Sequence, residues 1–201
     1  MKQYMKYAIS LLIGGLAGCL TLCGQRVLPI NLNFLANSGA VWMIPAFFVG
    51  LRFGGKALSR AVGCTLCLIG CVLGYYGFEA LMNRHAFSVS VYVCLWLGIA
   101  LGAGVAGGIA AYWAGTRSDF LKCIGLNLVP AVFLSEGVSK LIHISEYMHM
   151  IYGVGLTVVA GGILYILLNR REALRARNLL SVGVLLLAGE CFFEALYRFT
   201  T

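Results

Sequence analysis

The sequence is poor in charge, above all in acids. Charged residues make up 11% of the 201 residues, and only seven are Asp or Glu. A soluble domain carries roughly 25% charged and 45–50% apolar residues, so a water-facing surface is excluded over most of the chain. Proline and histidine are scarce too, with three of each. There is no low-complexity tract, no nuclear-type basic run and no polar tail. No phosphate-binding Gly-rich loop is present, because most of the 26 glycines lie within apolar stretches. No Ser–His–Asp set stands out, and the pattern of two histidines four apart around a Glu is absent. No lysine lies deep in the last apolar segment, which argues against a retinal protein of the rhodopsin type.

What the chain has is hydrophobicity. Apolar residues reach 61% and the mean hydropathy is +0.91. A spanning helix needs roughly 20 mostly apolar residues to cross about 30 Å of hydrocarbon. Seven segments qualify or come close, over approximately 5–24, 38–53, 57–79, 88–115, 119–139, 147–168 and 178–197. The expectation is an all-α, polytopic transmembrane helical bundle of about seven helices, forming a single integral membrane domain over 1–201. The second segment is short and contains Pro45, so a re-entrant half-helix is an alternative. Loop charge favours a full crossing. Lys2, Lys6, Arg52, Lys56, Arg60, Arg117, Lys122, Arg170, Arg171, Arg175 and Arg177 fall on one side; Arg26, Arg84, Lys140 and Arg198 fall on the other. The basic side is cytoplasmic by the positive-inside rule, giving an N-in, C-out topology. The net charge of +8 is thus explained by loops, and no basic patch interleaved with aromatics suggests nucleic acid.

The N-terminus allows a second reading. Lys2 and Lys6, an apolar run and then Leu16-Ala17-Gly18-Cys19 resemble a bacterial lipoprotein signal. The sequence stays apolar after Cys19, which favours an uncleaved first helix. All eight cysteines lie in or beside apolar segments, where cysteine packs as a small residue; a disulfide framework belongs to small secreted domains. Glycines recur at four-residue spacing, as in Gly14/Gly18, Gly98/Gly102 and Gly104/Gly108. Such spacing lets helix backbones approach closely in lipid, within one chain or across a homodimer.

One internal echo is visible. Gly74-x-x-x-Phe78-Glu79-Ala80-Leu81 recurs as Gly189-x-x-x-Phe193-Glu194-Ala195-Leu196, and at the same offset Lys56 meets Arg171 and Arg60 meets Arg175. This hints at parallel three-helix repeats joined by the fourth segment, a plan known in some transporters. The first and fifth segments do not visibly match, so coincidence is the competing reading.

The polar residues gather on one side. Glu79, Glu136, Glu146, Glu190, Glu194 and all three histidines map to the outer half or edge. Glu190 lies roughly 18 Å above the start of the last segment at 1.5 Å per residue. That leaves it about 10 Å below the outer surface of a ~30 Å core. An ionisable group at that depth should face protein or water, and is a functional candidate by default. Glu194 lies one turn above it on the same face. Candidate cationic partners are Arg26 and Arg198. Glu79, Glu194 and Glu146 are near enough to the surface to snorkel, and Glu136 has Lys140 at i,i+4. His143, Glu146 and His149, spaced three apart, spread too widely on a helix for a single zinc site. The stretch Pro29–Trp42 joins the first two segments. There Asn37 and Ser38 can cap the second helix and aim its N-terminus at a ligand or a glutamate, while Trp42 is either an interfacial anchor or a binding element.

Leu35-Ala36-Asn37-Ser38-Gly39-Ala40-Val41-Trp42, then Pro45-Ala46-Phe47 and Gly50, Gly74-Tyr75-Tyr76-Gly77 and Phe133-Leu134-x-Glu136-Gly137 resemble a family of small bacterial integral membrane proteins of unknown function. The resemblance covers nearly the whole chain and implies a fold but no activity. A looser similarity is to the substrate-binding S subunits of energy-coupling-factor transporters, which bind a small molecule beneath an outer loop. Those subunits typically have six helices and both termini inside, unlike the topology expected here. Fold analogy alone assigns no function.

The expectation is therefore a transport-related protein of the bacterial cytoplasmic membrane that binds a small polar or cationic solute in an outward-facing cavity. Glu190, Glu194, Glu136 and Glu79 would supply charge, Arg26 a counter-charge, and Asn37, Ser38 and Trp42 a lid. Its partners would be the lipid bilayer, the solute, and either transporter subunits such as an ATPase module or further copies of the chain. No cofactor and no metal is expected. The alternatives are a membrane-embedded enzyme acting on lipid or cell-envelope substrate, with Glu190 or Glu136 working with His143 or His149, and a structural or regulatory subunit.

Overall fold

A computed structural model describes residues 2–36 and 38–200 and, among them, contains helices and no strand. In chain order the helices are α1 (Gln3–Val27), the short α2 (Asn33–Ala36), α3 (Gly39–Phe53), α4 (Ala57–Met82), α5 (Val91–Ala114), α6 (Asp119–Ile142), the short α7 (Ile144–Tyr147), α8 (Ile151–Asn169) and α9 (Ala176–Thr200). Single 3-10 turns, Met148–Met150 and Arg170–Glu172, flank α8. Six helices are long and apolar enough to cross a membrane, so this is a multi-pass helical membrane protein. The short second segment is α3, whose 15 residues span only about 22 Å against ~30 Å of hydrocarbon.

The chain divides into two compact units, residues 2–27 with 41–112, and residues 28–36 and 38–40 with 113–200. In the first unit α1 lies against α4, and glycine sets the spacing. A methyl group on Gly14 would lie 1.8 Å from the Cys67 carbonyl oxygen, and one on Gly18 would lie 2.1 Å from that of Cys71. From the other side, Gly70 and Gly74 sit against the backbone of Leu11 and Gly15. The small-residue spacing is thus consumed by intramolecular backbone contact, the form helix association takes in lipid. Gly104 and Gly108 of α5 do the same against Thr65 and Ala61 of α4, whereas nothing lies within 4 Å of a methyl group built on Gly98 or Gly102. Cys64, Cys67 and Cys71 are buried in this packing, and the Cys64 thiol donates to the Ala46 carbonyl at 3.1 Å. α1 runs unbroken through Cys19.

The second unit is organised on α6, which carries α8 and α9. Its contacts are polar as well as apolar. Ser135 donates to the Leu186 carbonyl of α9 at 3.0 Å, beside Gly189, which leaves room for the serine. Three buried asparagines tie the other end together. Asn169 donates to Asn127 Oδ1 at 2.7 Å, and Asn127 donates to the Asn178 carbonyl at 3.2 Å. α2 packs on α8, where the Gly153 N–H donates to the Asn31 carbonyl at 3.0 Å.

Two stretches of the chain, residues 3–82 and 118–200, repeat one order of elements. The echo has an offset of 115 residues, from Glu79 to Glu194. That offset carries α1 onto residues 118–142, where α6 is Asp119–Ile142. It carries α2 onto the 3-10 turn Met148–Met150, α3 into α8, and α4 onto α9 to within a few residues at each end. Of the two left-handed glycines after α3, Gly55 (φ 78°) maps onto Arg170 (φ 45°), whereas Gly54 (φ 67°) maps onto Asn169 (φ −98°). In both units the first and last helices of the repeat pack together, α1 on α4 and α6 on α9, with α5 as the extra connecting helix. The first and fifth segments thus share a place in the plan despite their unlike sequences.

Candidate functional site

Each unit holds a polar cluster at the C-terminal ends of its paired helices. In the second unit the deepest member is Glu136 of α6, 4% exposed. Its carboxylate accepts from the Ser38 hydroxyl at 2.6 Å and from the Gly39 and Ala40 N–H groups at 3.1 and 3.0 Å. These are the first donors of α3, which have no partner within their own helix, and the partial positive charge there suits a carboxylate. Glu136, rather than Ser38, therefore takes the first donors of α3, and the Ser38 hydroxyl donates to the same carboxylate. Glu136 does not pair with Lys140, whose ammonium donates to the Tyr147 hydroxyl at 2.8 Å. A carboxylate that already has three buried donors gains little from a cation one turn away. Asn37, expected beside Ser38, lies outside the described residues.

Above Glu136 the C-terminal ends of α6 and α9 meet. Glu194 takes His143 Nε2 at 2.9 Å on one oxygen and Arg198 Nε at 2.8 Å on the other. The His143 ring stacks on Tyr197, with centroids 3.8 Å apart, and the Tyr197 hydroxyl donates to Glu146. His149 is exposed. The evenly spaced His143, Glu146 and His149 thus go separate ways, and among the described residues no three His, Cys, Asp or Glu side chains converge as a metal set.

Glu190 lies one turn below Glu194, about 21 Å along α9. Its Oε2 is buried and has no hydrogen-bond partner among the described residues. Arg198, the expected counter-charge, is held by Glu194 instead. A buried carboxylate oxygen without a donor is costly in a low-dielectric setting, and five of the seven acids avoid that cost. Asp119 and Glu172 are bridged by Arg177, Glu136 meets the start of α3, Glu146 meets Tyr197, and Glu194 meets His143 and Arg198. Glu190 and Glu79 are in no ion pair among the described residues.

In the first unit the corresponding region is aromatic. The Trp42 indole N–H donates to Thr21 Oγ1 of α1 at 2.9 Å. Its ring meets Trp96 of α5 at 5.7 Å and Tyr75 of α4 at 6.2 Å, with ring planes inclined by about 60° in both cases. Tyr75 donates to Gln25 Oε1 at 2.7 Å and contacts Tyr76 edge to face. Glu79 stands four residues after Tyr75 and three after Tyr76, on their face of α4. Arg26 donates to Asn83 Oδ1 at 2.9 Å. Trp42 is thus fixed by an internal hydrogen bond rather than by the interface alone.

The internal offset sharpens the contrast. Thr21, Gln25, Tyr75 and Glu79 correspond to Glu136, Lys140, Glu190 and Glu194. Three of these four positions are neutral in the first unit, and all four are ionisable in the second. The residues that sequence reasoning missed are Asn127, Asn169 and Asn178, together with Trp96. The signal for the asparagines was present, since Asn127 interrupts an apolar segment and must find a partner.

The chain belongs to a family of unknown function, DUF6518, whose model matches residues 1–199. No curated protein and no solved structure matches it.

Proposed function

Taking a multi-pass member of this family as the premise, we propose that the protein is transport-related and binds a small cationic solute, with Glu190 as the group that meets it. The observation that carries this reading is the buried, unpartnered Glu190 Oε2. Arg198 and His143 are nearby, yet both serve Glu194. A carboxylate kept unpaired within a membrane span is poised for a mobile cation. Glu194, held by its two partners, supports Glu190 from one turn above, and Glu136 keeps Ser38 and the start of α3 in place. The repeated three-helix plan with a connecting helix supports the same class, because parallel repeats recur in carriers. The positive-inside bias supports an N-in, C-out topology, with Glu190 approached from outside.

The test is thermal stabilisation of purified protein by a panel of metal ions, amines and basic amino acids. A cation at about 100 times its dissociation constant adds about 2.7 kcal/mol to stability. One member of the panel should raise the melting temperature of the wild type and not that of Glu190→Gln. If no cation shifts melting, or if the shift persists in the variant, the reading fails.

A further inference from the structure

Glu79 is, with Glu190, one of two acids whose side chains make neither an ion pair nor a hydrogen bond among the described residues, and its setting differs in kind from that of Glu190. It stands at the C-terminal end of α4 one turn after Tyr75, and its charge acts on Tyr75 and Tyr76; Tyr75 in turn meets Trp42 of α3, which meets Trp96 of α5. The inclined planes of these rings form a corner rather than a stack. The polar atoms of two of them are committed elsewhere. The Trp42 N–H is held by Thr21 and the Tyr75 hydroxyl by Gln25, both on α1. Holding both polar tips on α1 fixes the rings in place. All three rings are only half-buried. An aromatic face is electronegative and attracts a cation, and Glu79 would supply the full negative charge beside it. Arg26 of α1 lies near enough to act electrostatically on Tyr75, but it is hydrogen-bonded to Asn83 and forms no ion pair with Glu79 among the described residues.

We infer that Trp42, Tyr75, Trp96 and Glu79 form a binding site for an organic ammonium ion. A small, strongly hydrated metal ion gains little from ring faces, whereas an alkylated ammonium has a soft, weakly hydrated surface that suits them. A surface belt of aromatics explains tryptophan near a membrane boundary. It does not explain an indole held by a threonine within the unit, or a carboxylate left without an ion pair beside it. The site deepens the cationic-solute reading by naming the class of solute, and it rests on different residues from Glu190.

The experiment uses the purified full chain in lipid nanodiscs, with tetramethylammonium chloride as the probe and sodium chloride at equal ionic strength as the control. Tryptophan emission, read in a Trp113→Phe background so that Trp42 and Trp96 alone report, follows the site, and melting temperature reports on folding. Tetramethylammonium should change the emission saturably, and sodium should not. Glu79→Gln should raise the half-saturating concentration about fivefold or more, as should Trp42→Phe, while Tyr75→Phe, which keeps the ring but frees it from Gln25, should raise it less. Equal responses to the two salts in folded protein would overturn the inference. So would a response unchanged in both Glu79→Gln and Trp42→Phe. The two readings separate cleanly. If a metal ion stabilises the wild type but not Glu190→Gln while tetramethylammonium leaves emission unchanged, the aromatic site fails and the Glu190 reading stands. If the ammonium response persists in Glu190→Gln and no cation depends on Glu190, the Glu190 reading fails and the aromatic site stands.

Discussion

The first unit brings helix backbones together at glycines and the second joins its helices through buried polar side chains, although the two carry the same order of long helices. In the first, Gly14 and Gly18 bring α1 onto the backbone of α4, and Gly104 and Gly108 bring α5 there. In the second, Ser135, Glu136 and the three asparagines join α6 to its neighbours by hydrogen bonds. The difference shows that one helical plan is compatible with two kinds of adhesion. Lipid offers no hydrophobic force between helices, so either close backbone contact or buried polar pairing must supply it. The choice also sets what each unit can present. Glycine packing leaves the end of the first unit to aromatic rings. Polar packing fills the end of the second with ionisable groups, of which Glu190, among the described residues, has a buried oxygen without a partner.

The comparison can be broken most forcefully at Glu136. Its replacement by Ala strands the Ser38, Gly39 and Ala40 donors and should cost about 3 kcal/mol or more, read as a large fall in melting temperature. Next is Gly14→Ala, where the added methyl meets the Cys67 carbonyl. Overpacking of this kind costs about 1–3 kcal/mol. Gly15→Ala, with open space at the same turn, should be close to neutral, and equal losses in the two variants would refute the glycine account. Asn127→Leu should cost about 1 kcal/mol, since single interhelical hydrogen bonds in membranes average about 0.6 and reach about 1.7 kcal/mol. The smallest effect tests the repeat. Arg170 holds the left-handed position that glycine occupies at Gly55, and an L-residue there costs roughly 1–2 kcal/mol, partly offset by the entropy of glycine. Arg170→Gly should therefore stabilise by about 0.5–1 kcal/mol, while Gly55→Arg should destabilise.

The helices were legible because their signal is length and hydropathy, which need no partner. All seven expected segments are helices, and the limits expected for the short second one, 38–53, fall within one residue of α3. The short α2 and α7 were not legible, because four-residue helices in polar loops carry no period. For the candidate site, sequence gave types and depths but not neighbours. Glu190 stands out from its depth alone. That His143 and Arg198 would both settle on Glu194, and that Glu136 would take the start of α3 in place of Lys140, depends on which helices touch. The repeat was half legible, since α4 and α9 share a motif whereas α1 and α6 share only their limits. One uses glycine and the other serine and glutamate for the same task, so sequence similarity is lost where adhesion changed.

The central claim is that Glu190 is kept for a solute and not for the fold, in contrast to Glu136. The most direct test compares the melting temperatures of Glu190→Gln and Glu136→Gln in lipid nanodiscs without added solute. A neutral amide is cheaper to bury unpaired than a carboxylate, so Glu190→Gln should melt at or above the wild-type temperature. Glu136→Gln should melt well below it, because the acceptor for three donors is halved. A fall for Glu190→Gln as large as that for Glu136→Gln would contradict the account and make Glu190 a structural residue.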